Sequence, residues 1–127
     1  LARGVTRTLV DAVATIPRGN YAGAAVAADV NGDGQDDLLL GRSLNALAPN
    51  ALSRVHLVLG PVIGPVNLDD AQNGADATWT GETGTASWSS LAGSSIALVG
   101  DQNGDGVTDI AIGDHNVYNL SGAVYIV

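Results

Sequence analysis

Cysteine, methionine, phenylalanine and lysine are all absent from this chain of 127 residues. Without cysteine the chain forms no disulfide and no thiolate metal site, so cysteine usage gives no information about redox compartment. Because it has no lysine, the chain cannot form the glycine-rich loop followed by lysine that binds phosphate. The hydrolase motif G-x-S-x-G and the zinc-protease motif H-E-x-x-H are also absent from the sequence. We therefore predict that the chain is not an enzyme.

Positive charge is also scarce. Five arginines against thirteen acids give a formal net charge of −8, which opposes binding to nucleic acid or to anionic lipid. Apolar runs extend over only a few residues, so membrane insertion is not expected. The first ten residues, LARGVTRTLV, lack the continuous apolar region of a secretion signal. Because the chain starts at Leu1, we expect a processed or excised product.

The residues that are abundant favour β-structure. Seventeen glycines and many Val, Ala, Leu and Thr residues suit short strands joined by turns. The length suits one domain rather than two. The composition therefore predicts an all-β fold in a single region, residues 1–127.

Two acidic stretches have the same pattern. DVNGDGQDDLLLG begins at Asp29, and DQNGDGVTDIAIG begins 72 residues later at Asp101. Similar apolar segments surround both stretches, which indicates an internal repeat with approximate units 1–64 and 65–127. We expect a first strand at 24–28 and 95–99, a second at 38–40 and 110–112, and a third at 54–60 and 123–127. A fourth strand is predicted at 75–80, leading the second unit, with 7–16 as its counterpart; 60–67 and 81–90 are predicted loops.

Each acidic stretch places short oxygen donors at loop positions 1, 3, 5 and 9. Glycine at position 6 allows a sharp bend, and position 7 offers a backbone carbonyl. Hard cations prefer such oxygen-only sets, and three carboxylates with flexible coordination favour Ca²⁺ over Mg²⁺. The alternative is that Asp, Asn and Gly only build tight polar turns. We predict two calcium ions per chain, bound by Asp29, Asn31, Asp33, Gln35, Asp37, Asp101, Asn103, Asp105, Val107 and Asp109. Asp36, at position 8, is predicted to be a solvated charge.

The loops differ from an EF-hand. Leu40 and Ile112 stand at position 12, where an EF-hand has glutamate, and the predicted flanks are strands rather than helices. Dockerin repeats also have an acid at position 12 and lead into a helix, so these loops fit the dockerin pattern poorly as well.

The stretch GSSIALVGDQNGDGVTDIAIGD followed by SGAVYIV resembles the FG-GAP repeat of integrin-α-like β-propellers. Two such repeats would cover nearly the whole chain. The resemblance implies antiparallel four-stranded blades, with calcium bound by the loop between strands 1 and 2 at the ten residues named above. It also implies an extracellular or cell-surface module for adhesion, recognition or assembly. Ala22-Gly23 and Ala92-Gly93 occupy the FG positions, while Gly41-Arg42-Ser43 and Gly113-Asp114-His115 replace GAP.

Two blades do not close a propeller ring, since propellers have 4 to 8. We therefore expect further blades or a homo-oligomer. The leading alternative is a repeating subunit of an extracellular filament or surface layer, and the third is the non-catalytic propeller part of a secreted hydrolase.

A few other side chains are candidates for function. Trp79 and Trp88 flank a Thr/Gly/Ser loop; they either pack between blades or bind a protein or carbohydrate partner. His115 has Ser94, Ser95 and Ser121 near it in sequence, and we interpret it as a polar loop residue. His56 is predicted to be a half-buried strand residue.

Overall fold

The structure is a computed structural model that describes residues 14–16, 24–42, 53–68, 74–82, 90–117 and 121–127. The elements within these residues are all strands: β1 Ala14–Thr15, β2 Ala25–Ala28, β3 Asp37–Arg42, β4 Arg54–Val58, β5 Gly64–Pro65, β6 Ala77–Thr80, β7 Ser95–Gly100, β8 Asp109–Asp114 and β9 Ala123–Ile126. The prediction of an all-β chain with antiparallel sheets is confirmed. In this part of the chain no helix is long and apolar enough to cross a membrane.

The first sheet has four antiparallel strands in the order β2-β3-β4-β6. The first three strands lie where the sequence predicts them. The fourth strand also exists, but it does not lead the second unit. It pairs with β4, placing Val55 opposite Trp79 and Leu57 opposite Ala77. The sheet therefore extends across the predicted boundary between residues 64 and 65.

The second sheet repeats the first three strands as β7-β8-β9. The registers of the two sheets match, because Leu40 lies opposite His56 and Ile112 lies opposite Tyr125. An irregularity between Leu98 and Gly100 shifts the register of β7 just before the acidic loop. Among the described residues, no fourth strand pairs with β9.

The short strands β1 and β5 pair in parallel, with Ala14 opposite Gly64 and Thr15 opposite Pro65. The predicted loop at 60–67 thus contains a two-residue strand, and of the predicted strand 7–16 only residues 14–16 are described. Residues after β4 form a second apolar cluster with the outer face of the first sheet. Its members are Val58, Val66 and Leu68, with Ile16, Leu38, Leu40, Val62 and Ala75 packed against them.

The main core lies between the two sheets. Leu39 and Val55 of the first sheet are fully buried, and Ile110 and Ile112 of the second are nearly so. All four contribute to one cluster, together with Val30 and Ala92. Alternation along each strand directs these side chains to a shared face. Full burial of each such side chain contributes about 1.5–3 kcal/mol.

Glycines bring the two sheets into close contact where the FG and GAP motifs would stand. A Cβ atom on Gly41 would overlap the carbonyl oxygen of Gly93, which has a φ of 83° and lies at the start of the second sheet. The amide of Gly93 in turn donates to the Gly113 carbonyl at 3.1 Å. The described sheets pack as neighbours, but they do not form a closed ring.

Candidate metal centre

The first acidic loop folds around the carboxylate of Asp29, at position 1. Its Oδ1 accepts the amides of Gly32 at 2.7 Å and Asp33 at 3.0 Å, and its Oδ2 accepts the amide of Gly34 at 2.8 Å. Gly34, at position 6, has a φ of 87°, a left-handed conformation that costs glycine little. The bend predicted at position 6 is therefore present.

The side chains at positions 3 and 5 complete the turn. Asn31 Oδ1 accepts the Asp33 amide at 2.9 Å, and Asn31 Nδ2 donates to Asp33 Oδ2 at 3.1 Å. Asp33 Oδ1 accepts the amide of Gln35 at 2.8 Å. The structure thus brings Asp29, Asn31 and Asp33 into one exposed network, as the spacing predicts.

The second loop repeats this network around Asp101. Its Oδ1 accepts the Gly104 and Asp105 amides at 2.5 and 3.1 Å, and its Oδ2 accepts the Gly106 amide at 2.9 Å. Asn103 Oδ1 accepts the Asp105 amide at 2.9 Å, and Asp105 Oδ1 accepts the Val107 amide at 2.8 Å, as in the first loop. The Asn103 Nδ2 group differs, because it donates to Asp109 rather than to Asp105. The amide of Gly106, and then that of Gly104, lower the pKa of Asp101, because they stabilise the ionised carboxylate.

The aspartates at position 9 tie each loop to its surroundings. Asp37 is 1% exposed, and its two oxygens accept the amides of Val30 at 2.9 Å and Gly60 at 2.8 Å. Asp109 accepts the Gln102 amide at 2.8 Å and Asn103 Nδ2 at 3.3 Å. The spacing of the acidic stretch does not indicate this structural role, because the Gly60 partner lies in another loop.

No group of three or more His, Cys, Asp or Glu side chains in the described part of the chain is arranged to hold a metal ion. The chemistry of the donors nevertheless fits a hard cation, since every donor is oxygen. A carboxylate oxygen has about two lone-pair sites, and Oδ2 of Asp29 uses one for Gly34. Asp29 can therefore keep that bond and still bind a cation. Calcium binding by these loops stays a prediction.

At the opposite end of the second sheet lies an open cleft of about 400 Å³, lined by Ser94, Ser95, Gly113, Asp114, His115, Ser121, Gly122, Ala123 and Val124. His115 Nδ1 lies 3.2 Å from Ser94 Oγ, which itself donates to the Gly113 carbonyl at 3.2 Å. With its one proton directed at Gly113, the Ser94 hydroxyl accepts from the imidazole rather than donating to it. That arrangement does not activate Ser94 as a nucleophile.

Asp114, beside His115, does not take part in this pair. It is 1% exposed, and it accepts hydrogen bonds from Ser90 Oγ and from the amides of Leu91 and Asn116, the last two at 3.0 Å. These bonds fix residues 90 and 91, which lie shortly before the second sheet begins at Ser95. The sequence indicates this role of Asp114 only by placing a polar residue at the end of an apolar strand.

The remaining candidates have mixed outcomes. His56 is 1% exposed, so it is more buried than predicted, and its Nδ1 lies 3.0 Å from Thr78 Oγ1. Trp79 packs against the core between the sheets. Trp88 lies outside the described residues, so its role stays a prediction. Asp36 is exposed, as predicted.

No protein-family model matches this chain. A curated relative, integrin alpha-4 of Xenopus laevis, is 36% identical to it over 110 residues, which is 85% of this chain and 10% of the integrin. The chain thus spans about a tenth of that relative's length. Most of the chain is accordingly similar to a region of an integrin alpha chain.

Proposed function

We propose that this chain is a calcium-binding β-propeller module of an extracellular adhesion or recognition protein. The observation that carries the proposal is the pair of matching loops, each folded around a carboxylate that accepts three backbone amides. The similarity to integrin alpha-4 supports the extracellular and adhesive part.

The residues that would hold calcium are those at loop positions 1, 3, 5 and 9, with the backbone carbonyls of Gln35 and Val107. A bound Ca²⁺ supplies positive charge that offsets the repulsion among the loop carboxylates. The hydrogen bonds to Asp29 and Asp101 hold each loop in a compact turn before the ion binds. Such preorganisation lowers the cost of ordering the site.

The propeller part of the proposal rests on the two faces of the second sheet. One face packs on the first sheet through Ile110 and Ile112. The opposite face carries Val124, 69% exposed, and Ile126, 56% exposed. By register, these two residues correspond to Val55 and Leu57, which in the first sheet pack toward a neighbouring sheet. The exposed face therefore has the composition and position of a face that packs on another blade.

We assign no catalytic role to the chain. Within the described residues no acid orients the imidazole of the Ser94–His115 pair, because Asp114 accepts from Ser90, Leu91 and Asn116 instead. A nucleophile needs such an oriented base.

The test of calcium binding is thermal unfolding in 10 mM Ca²⁺ and in EDTA. Extracellular calcium modules have a Kd of about 10⁻⁴–10⁻³ M, so each filled loop adds about 1.4–2.7 kcal/mol of stability. At about 4 °C per kcal/mol, each loop should raise Tm by roughly 5–10 °C.

The matched variants are Asp29→Asn and Asp101→Asn, with Asp36→Asn as the control. Each loop variant should remove about half of the difference in Tm between calcium and EDTA, whereas Asp36→Asn should retain the whole difference. For each variant, the quantity to compare is the Tm in calcium minus the Tm in EDTA. This difference separates ion binding from the loss of hydrogen bonds within the loop, which lowers the Tm in both solutions. Equal melting of the unaltered chain in calcium and in EDTA would refute the proposal.

A second candidate function, the repeating subunit of a filament or surface layer, is favoured by the same exposed Val124 and Ile126 side chains. Open sheet faces and edges promote assembly between copies. Sedimentation over a range of concentrations distinguishes the two, since a filament subunit forms extended polymers.

A further inference from the structure

We infer that Asn31 and Asn103 are sites of spontaneous deamidation, that the position-1 aspartate of each loop holds the reaction back, and that Asn31 reacts first. Deamidation converts each side-chain amide into a carboxylate within the acidic loop. The inference goes beyond the function proposed above and does not depend on calcium, because it rests on the reactivity of the peptide chain itself.

The reactive feature is an asparagine followed by glycine, which occurs in the two loops as Asn31-Gly32 and Asn103-Gly104. Glycine has no Cβ atom, so its backbone nitrogen reaches the side-chain carbon of the preceding asparagine more easily than a nitrogen shielded by a side chain does. All four residues are exposed to solvent. In the third such pair, Asn73-Gly74, the asparagine lies outside the described residues.

The reaction needs only water. The Gly32 nitrogen gives its proton to solvent hydroxide and attacks Cγ of Asn31. The bond from Cγ to Nδ2 then breaks, and Nδ2 takes a proton from water and leaves as ammonia, which regenerates the hydroxide. Water opens the resulting succinimide ring at either carbonyl, giving aspartate or isoaspartate. The net change is the gain of water and the loss of ammonia, and nothing is oxidised or reduced.

The first loop holds both reacting groups away from this geometry. The Gly32 amide proton is directed at Asp29 Oδ1, with the nitrogen and oxygen 2.7 Å apart. A negative acceptor disfavours the loss of that proton, since the deprotonated nitrogen would be negative too. The Oδ1 atom of Asn31 accepts the Asp33 amide at 2.9 Å, so the side chain is bonded one residue beyond the nitrogen that must attack it. The loop must therefore open before Asn31 reacts.

The second loop holds its reacting groups in the same way. The Gly104 amide donates to Asp101 Oδ1 at 2.5 Å, and Asn103 Oδ1 accepts the Asp105 amide at 2.9 Å. In both loops the position-1 aspartate also accepts two further amides. Removing this aspartate therefore releases the reacting amide and loosens the turn around it.

The two asparagines differ in the partner of Nδ2, the atom that leaves. Asn31 Nδ2 donates to Asp33, which is exposed and belongs to the same loop. Asn103 Nδ2 donates at 3.3 Å to Asp109, which is 5% exposed and belongs to β8. Opening the first loop frees Asn31 together with its partner, whereas Asn103 stays bonded to the sheet. Asn31 is therefore the faster site.

Conversion disables the loop permanently. In the first loop the new oxygen takes the place of Nδ2, which donates to Asp33 Oδ2 at 3.1 Å. A hydrogen bond is thus replaced by repulsion between two carboxylates. Isoaspartate also lengthens the main chain between residues 31 and 32 by one atom, which displaces the following amides from Asp29. Deamidation is accordingly a one-way loss of the compact turn.

The test follows the folded chain in mildly alkaline buffer with EDTA, prepared in water enriched in ¹⁸O. The water that opens the succinimide leaves its oxygen in the product, so tandem mass spectrometry identifies each converted asparagine. Asn31 and Asn103 should react at least about tenfold more slowly than in the short peptides Val-Asn-Gly-Asp-Gly and Gln-Asn-Gly-Asp-Gly, with Asn31 ahead of Asn103. Because EDTA is present throughout, failure of the calcium proposal would leave this result unchanged.

The variants Asp29→Ala and Asp101→Ala test the protecting role of the carboxylate. Asp29→Ala should accelerate the reaction at Asn31 about ten- to 150-fold, the factor that corresponds to one hydrogen bond to a charged group, and should leave the rate at Asn103 unchanged. Asp101→Ala should do the reverse, so each loop is the control for the other. Asp36→Ala removes an exposed charge from the first loop and should change neither rate.

Three results would overturn the inference. They are reaction in the folded chain as fast as in the peptides, unchanged rates in both alanine variants of position 1, and equal acceleration at both asparagines by a single variant. The last result would mean that unfolding of the whole chain controls the reaction. Faster reaction at Asn103 than at Asn31 would overturn the order assigned from the Nδ2 partners.

Discussion

Asp37→Asn tests the finding that the position-9 aspartate supports the fold as well as the loop. The carboxylate is 1% exposed and accepts the Val30 and Gly60 amides. Asparagine keeps one acceptor oxygen and sets its NH₂ group against the other amide. A buried amide without a partner costs about 1–3 kcal/mol, and a hydrogen bond to a charged group contributes about 1.5–3 kcal/mol. Because these two contributions overlap, we expect the free energy of unfolding to fall by about 2–4 kcal/mol.

The assay is urea unfolding in EDTA, so that no metal contributes to the free energy of unfolding. With an m-value of about 2 kcal/mol/M, the midpoint should fall by roughly 1–2 M. The neighbouring exposed residue provides the control, since Asp36→Asn should change stability by no more than about 0.5 kcal/mol. Asp109→Asn should cost less than Asp37→Asn, because one of its two donors is a side chain that can rotate away. Equal stability of the Asp37 and Asp36 variants would refute the reasoning.

Two further predictions concern the junction of the sheets. Gly41→Ala should destabilise the chain by about 3 kcal/mol or more in chemical denaturation, because its Cβ would overlap the backbone of Gly93. Gly113→Ala should cost much less, since its Cβ would overlap the Ser95 hydroxyl, which can rotate, and would make only ordinary contacts otherwise. Similar losses in the Gly41 and Gly113 variants would contradict this reasoning. Asp114→Ala should lower the free energy of unfolding by about 3–5 kcal/mol, because three hydrogen bonds to a buried carboxylate are lost. A loss under about 1 kcal/mol would show that these bonds contribute little.

Local patterns predicted the parts of the structure that depend on near neighbours. The acidic loops bend where Gly34 and Gly106 were expected to allow it, and the strands on either side follow the change from polar to apolar residues. The hydrogen bonds of Asp29 and Asp101 span only three to five residues. Short spacing alone therefore determines the core of each loop.

Pairings between distant segments could not be predicted in the same way. Nothing local to β6 indicates that it joins β4, because an apolar-alternating strand fits the edge of either sheet. The parallel pairing of Ala14 with Gly64 joins segments 50 residues apart. The contacts of Asp37 with Gly60 and of His115 with Ser94 likewise depend on how the strands are ordered.

Native mass spectrometry in calcium is the most direct test of the central claim, since it counts the ions on each chain. We predict two calcium ions on the unaltered chain, one after Asp29→Asn or Asp101→Asn, none after both, and two after the control substitution Asp36→Asn. A chain that carries no calcium, or that keeps two ions when both loop aspartates are replaced, would contradict the assignment of these loops as calcium sites.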